Sequence, residues 1–307
     1  MRKIMIAIAI GIFVSAVIAI CVVIVYAIRK DKFPAQIPET SLATIDDLNR
    51  FLDTHPYEIG FFAKNLNTGE TVERYADRSV CLASIVKIFC LTELYRQKCD
   101  KALNLNQKIE IPNHGSISLE KAADLMIEQS DNVATYALAN LLGYENINRI
   151  PALLNIDSLS KEVLPKSEVF REMLDKRLFG KRIASEDLPQ HGSARAIAEY
   201  FELLIDKKVF SEAISTELID FFSKHPKPFS KYYIGQYSFA GKGGNLLWTR
   251  PPKHYSMMGW GLFLKKLSED YIVLCVWGEW FPENMPPEKQ SEFLKYVTDC
   301  VISIIEN

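Results

Sequence analysis

Several features are missing from this 307-residue chain, and each absence removes a class of function. There is no Cys-x-x-Cys pair, and the five histidines, His55, His114, His191, His225 and His254, are scattered without ligand spacing. No metal centre is therefore expected. No Gly-x-Ser-x-Gly elbow is present, and Gly241-Lys242 lacks the upstream glycine and the Ser/Thr of a phosphate loop. No other cofactor motif is found. Excess charge is lacking too: 36 basic against 38 acidic residues leave a formal net charge of −2, which argues against a nucleic-acid partner. There is no internal repeat and no low-complexity tract. The six cysteines are Cys21, Cys81, Cys90, Cys99, Cys275 and Cys300. They do not form a disulfide pattern and read as small buried hydrophobes. Cys81, close to Ser84, is a rival nucleophile without a basic neighbour in sequence.

What is present begins with an apolar run from Ile4 to Ile28. As a helix it would extend roughly 37 Å at about 1.5 Å per residue, enough to span a bilayer. No Ala-x-Ala cleavage site follows it, and Ile20 before Cys21 spoils a lipobox. Residues 1–30 are therefore expected to be an uncleaved transmembrane signal anchor, and residues 31–42, with Pro34 and Pro38, a stalk. Arg2 and Lys3 on one side balance Arg29, Lys30 and Lys32 on the other, so charge leaves the orientation open. Residues 43–307 form the remaining domain.

The periodicities of that domain run helix, two strands, many helices, three strands, helix. Thr44–Leu52 is helical, Tyr57–Lys64 and Glu70–Tyr75 form a hairpin, and Ser84 to about Lys224 is mostly helices and loops. Strands follow at about Tyr233–Gly241, Tyr255–Lys265 and Tyr271–Trp280, and Pro287–Ile305 closes the chain as a helix. This order predicts an α+β fold with one five-stranded antiparallel sheet built from both ends of the domain. Helices flank the sheet, and an all-helical subdomain is inserted, leaving a cleft at the junction.

Three motifs supply chemistry. Ser-x-x-Lys occurs three times, as Ser84/Lys87, Ser118/Lys121 and Ser158/Lys161. Ser84 opens the pattern Ile85, Ile88, Phe89, Leu91, Leu94 and Tyr95. Ser118 has the setting of an N-cap, and Ser158 lies in a loop-like stretch. Ser130-Asp131-Asn132 falls between two helices, Leu119–Glu128 and Val133–Leu142, the second stopped by Gly143. Lys242-Gly243-Gly244 sits in the strand-like region that starts at Tyr233. Alone, each has a bland reading: a cap, a polar turn, a glycine bulge. In this order they assemble a serine nucleophile, two lysines, a second hydroxyl and an amide, an inventory suited to acyl transfer through a serine ester.

In these motifs, and in the surrounding Met126–Thr135 segment and first hairpin, the chain resembles the serine β-lactamase and penicillin-binding protein superfamily. Its layout is that of class A β-lactamases over about residues 43–305. The resemblance implies a β-lactamase/transpeptidase-like fold in which Ser84 is the nucleophile and Lys87 its base. Ser130 relays a proton to the leaving nitrogen, and Asn132 binds a substrate amide. Lys242 supports Ser130 and attracts a carboxylate. Gly244 and Asn245 belong to the substrate-binding strand, and the N–H groups of Ser84 and Asn245 form the oxyanion hole. Gly243 departs from the family's Thr or Ser. No glutamate falls in the setting of the deacylating base; Glu172 and Glu186 are the nearest offers. The implied function is a membrane-anchored, exported serine acyl-hydrolase, acting as a monomer on β-lactams or related peptidoglycan-type amides, with D-alanyl peptidase as second choice. Its place would be the cell membrane, with the catalytic domain in the periplasm or outside the cell. The alternatives are a penicillin-binding sensor that is acylated but deacylates slowly, and a scaffold that uses the fold for protein contacts.

Overall fold

The computed structural model describes residues 42–166, 168, 190–226, 237–248, 255–280, 285 and 287–307. The elements in chain order are α1 (Ile45–Asp53), β1 (Glu58–Asn65), β2 (Thr71–Arg74) and β3 (Val80–Cys81), then a 3₁₀ turn (Ala83–Val86) running into α2 (Lys87–Cys99). Next come β4 (Lys108–Ile111), β5 (Gly115–Ser118), α3 (Leu119–Glu128) and α4 (Asn132–Leu142), followed by short helical turns at Tyr144–Asn148 and Ile150–Leu153. The chain continues with β6 (His191–Gly192), α5 (Ala194–Ile205), α6 (Glu212–Lys224), β7 (Tyr237–Trp248), β8 (Tyr255–Lys266), β9 (Tyr271–Trp280) and α7 (Pro287–Glu306).

Local chemistry sets many of these boundaries. Thr44, Ser118, Asp131, Ser193 and Ser211 each accept a hydrogen bond from a backbone N–H in the first turn of the helix that follows. Gly143, at φ +88°, ends α4 in a conformation that side chains disfavour.

The main sheet has the order β2-β1-β9-β8-β7, antiparallel throughout, so the first hairpin pairs with the last strand of the chain. Both faces are covered. On β8, the Trp260 indole donates to Thr298 Oγ1 of α7, while a side chain at the next residue, Gly261, would run into Ile197 and Phe201 of α5. Adjacent strand residues point to opposite faces, so α5 and α7 lie on opposite sides. Double coverage explains why Ile272–Trp277 of β9 is an unbroken buried run.

The helical insert packs around α2, whose first nine residues, Lys87 to Tyr95, are all buried. The insert is not all-helical, as expected from the sequence: it carries two ribbons, β3 with β6 and β4 with β5. The transmembrane part of the expected fold also needs correction. Among the described residues no helix is long and apolar enough to cross a membrane. The run Ile4–Ile28, to which the anchor was assigned, lies outside the described residues.

Candidate active site

Ser84 sits on the 3₁₀ turn that feeds α2, within a stretch where every neighbour from Cys81 to Cys90 is buried. Ser84 itself is half-buried and lines a cleft of about 750 Å³. The turn is held from both sides. Leu82 N–H donates to the Gln190 carbonyl, and Cys81 pairs with His191. Ala83, just before the serine, has φ +45°, a region that a residue with a side chain enters at a cost of about 1–3 kcal/mol.

Lys87 begins α2 three residues on and is only 3% exposed. Its Nζ donates to the Ser130 carbonyl at 2.6 Å and to Asn132 Oδ1 at 2.8 Å, with Ser130 Oγ at 3.4 Å. Burial pulls its pKa down to about 8 against the opposing charge of Asp131, so the neutral amine is far more accessible near neutral pH than in a free lysine. The Ser130-Asp131-Asn132 turn is also strained: Ser130 has φ +57°. Asp131 fixes the turn as the N-cap of α4, accepting from Ala134 N–H at 2.8 Å.

Lys242 reaches the same place from the sheet. It is 3% exposed, and its Nζ donates to Ser130 Oγ at 3.0 Å and to the Gly243 carbonyl at 2.6 Å. Ser130 Oγ thus lies between two lysines, one from each part of the fold. The motif lies inside β7, which runs on to Trp248; the sequence pattern had suggested a strand ending near Gly241. Gly244 is the contact point with the serine turn. A Cβ there would stand 2.6 Å from the Leu82 carbonyl and 2.9 Å from the N atoms of Ser84 and Ile85. Asn245 follows, exposed, and lines the cleft with Ser84, Lys87 and Asn132.

All seven residues singled out by sequence are therefore drawn together at one junction. The two other Ser-x-x-Lys pairs are not: Ser118 caps α3, and Ser158 lies in a loop. Cys81 is no rival, because complete burial pushes its thiol up to about 12. Glu172 and Glu186 lie outside the described residues. Sequence reasoning missed the contact of His114, an exposed residue whose Nε2 lies 2.9 Å from Asp131 Oδ2. The two are separated by 16 intervening positions and share no helical face, so no local signal could have joined them.

The arrangement offers a half-exposed hydroxyl and a buried amine with a depressed pKa. It also offers a second hydroxyl bridged to a second amine, and a strand edge against the nucleophile turn. Residues 43–246, more than half of the chain, match the model of a family described as the beta-lactamase enzyme family. None of the curated proteins matches. Among solved structures, a class A beta-lactamase from Mycobacterium abscessus is 17% identical, covering 85% of this chain and 99% of its own, with a TM-score of 0.66. A beta-lactamase from Chitinophaga pinensis is 14% identical over 85% and 97%, with a TM-score of 0.69. The chromosome-encoded beta-lactamase of Vibrio parahaemolyticus is 15% identical over 84% and 96%, at 0.63. At such identities these likenesses speak for the fold alone.

Proposed function

The chain belongs to the beta-lactamase enzyme family and is a serine hydrolase of cyclic amides, and from that premise we propose that Ser84 opens the β-lactam ring through an acyl-enzyme. The observation that carries the reading is the continuous hydrogen-bonded set Lys87–Ser130–Lys242, which ties all three motifs into one proton path.

In this mechanism neutral Lys87 takes the Ser84 hydroxyl proton as Oγ bonds to the lactam carbonyl carbon. The oxyanion is received by the N–H groups of Ser84 and Asn245, aligned by the close approach of Gly244 to the turn. The C–N bond then breaks. The nitrogen takes the Ser130 hydroxyl proton, which Lys87 replaces. Asn132 already uses its Oδ1 for Lys87, leaving its NH₂ to hold the substrate's side amide. Lys242 attracts the substrate carboxylate. Water then cleaves the ester and regenerates Ser84. Every group comes from one chain, so a monomer suffices. We place the domain outside the cytoplasm, where wall-type amides are found; protease added to spheroplasts should then degrade it, and full protection would refute that placement.

The slow-deacylating sensor remains a second reading. It is favoured by the sequence, in which no glutamate falls in the setting of the deacylating base. One experiment separates the two. The protein is mixed with benzylpenicillin and its intact mass is followed over time. An adduct on Ser84 that forms and disappears as product accumulates is the expected result. A permanent adduct means the sensor, and neither adduct nor product at saturating penicillin overturns both.

A further inference from the structure

The Ser130-Asp131-Asn132 turn carries much of the site's hydrogen bonding. The Ser130 carbonyl and Asn132 Oδ1 accept from Lys87 Nζ, and Ser130 Oγ accepts from Lys242 Nζ. Ser130 holds φ +57°, a conformation that persists in a residue with a side chain only when its surroundings enforce it. Asp131 supplies part of that enforcement. Its N–H donates to the Leu125 carbonyl at 3.0 Å, and its Oδ1 accepts from Ala134 N–H at 2.8 Å. These two bonds tie the turn to the helices on either side of it, α3 and α4.

The second carboxylate oxygen turns to another part of the chain. Asp131 Oδ2 lies 2.9 Å from His114 Nε2, and the two side chains are 20% and 29% exposed. An ionised carboxylate only accepts, so Nε2 carries the hydrogen. His114 stands at the turn of the β4–β5 hairpin, between Asn113 at φ +69° and Gly115 at φ +70°. Its own N–H donates to the Ile111 carbonyl. The hairpin is moored by Leu119 N–H on the Gln107 carbonyl and Glu120 N–H on the Leu105 carbonyl. The same hairpin brings Ile109, Glu110 and Pro112 to the cleft. One side chain from outside the three motifs therefore joins this wall of the cleft to the turn that carries Ser130.

We propose that His114 is a positioning residue for acylation: through Asp131 it holds the Ser130 hydroxyl where the leaving nitrogen takes its proton. The inference rests on the Ser84 acyl-enzyme reading and deepens it. In the step concerned the C–N bond breaks and its electron pair stays on nitrogen. The nitrogen takes the Ser130 proton, and Ser130 takes the proton that Lys87 received from Ser84. His114 acts on these atoms only through Asp131. Misplacing a reacting group by about 1 Å costs about a hundredfold in rate. A part-exposed bond at the back of the turn controls a smaller displacement, and about tenfold is expected from its loss. An amine leaving group needs the Ser130 proton to depart, whereas a thiolate leaves without it. The loss should therefore depend on the leaving group.

The test compares benzylpenicillin with a thioester of phenylacetylglycine, which carries a similar side amide and releases a thiolate. Limiting acylation rates are followed by intact mass in the unaltered protein, in His114→Ala and in His114→Gln, with thermal unfolding measured on each. Glutamine keeps an N–H donor at the place of the imidazole Nε2. His114→Ala should lower the benzylpenicillin rate about tenfold and the thioester rate by less than about twofold. His114→Gln should bring benzylpenicillin back to within about twofold of the unaltered protein. Equal losses on the two substrates, as a merely loosened fold would give, overturn the inference and leave the acyl-enzyme intact. An undiminished penicillin rate in His114→Ala does the same. If the thioester does not react with the unaltered protein, benzylpenicillin decides, and His114→Gln as slow as His114→Ala overturns the inference. If the unaltered protein gives neither adduct nor product with benzylpenicillin, the Ser84 reading falls, and the inference with it.

Discussion

At the scale of the residue, the site depends on two groups kept away from their ordinary state. Ser84 is one of three serines followed by a lysine three places on, and only its surroundings distinguish it. Ser84→Ala should abolish labelling by a fluorescent penicillin. Ser158→Ala should leave labelling intact. Ser118→Ala should also leave it intact while lowering stability by about 1 kcal/mol, because that side chain caps α3. Labelling that persists in Ser84→Ala and disappears in either of the others would refute the assignment. Lys87 is the second group. Its burial favours the neutral amine, the form that can accept a proton, so acylation should be slow in acid and rise with pH to a plateau. The midpoint should lie near the folded-state value of about 8 rather than near the 10.5 of a free lysine. The measurement is the acylation rate constant between about pH 5 and 10, within the range in which the fold is intact by circular dichroism. A rate independent of pH across the interval would remove Lys87 as the base.

At the scale of the element, β7 and the serine turn act as a matched pair, and the two glycines of the motif are not equivalent. Gly244 has backbone of the serine turn within 3 Å of where a Cβ would be, so a side chain there must push the strand away. Gly244→Ala should lower the acylation rate by about a hundredfold or more, through displacement of the Asn245 N–H from the oxyanion position. Gly243 differs: its φ is not in the left-handed region, and a Cβ would meet only the Gly259 carbonyl, at 3.7 Å. Nothing in the backbone requires glycine there. Gly243→Thr should fold normally and place a hydroxyl next to Lys242, adding a hydrogen bond to a charged oxygen worth about 1.5–3 kcal/mol. Penicillin acylation should accelerate about tenfold or more. Equal acylation rates in Gly243→Thr and the parent, with unchanged thermal stability, would mean that the carboxylate does not bind beside Lys242.

At the scale of the whole molecule, the parts legible in the sequence were those written locally. The helix start at Ser118 and the stop at Gly143 rest on residues adjacent to the turn they cap. The strand expected at Tyr271–Trp280 is β9, with the same bounds. Long-range pairings left no such trace. The β3–β6 ribbon joins Val80 to Gly192 through strands of two residues, too short for any alternation. The extension of β7 through Gly243 and Gly244 goes against strand propensity and is enforced by pairing with Trp260 and Gly259. The topology has one more consequence. The first hairpin waits for β9, paired from Glu58–Glu279 to Asn65–Ile272, and Ser84 waits for the Lys242 strand, so the reactive serine comes into being late. A nascent chain leaving the ribosome exposes Ser84 and Lys87 while β7 to β9 are still unmade, and in that interval it is chemically silent. During refolding, penicillin reactivity should therefore lag behind the helical circular-dichroism signal and keep pace with burial of Trp260 and Trp277. Acylation makes a clock for closure of the sheet, and a serine that labels as soon as the helices form would show that the closing strands are dispensable.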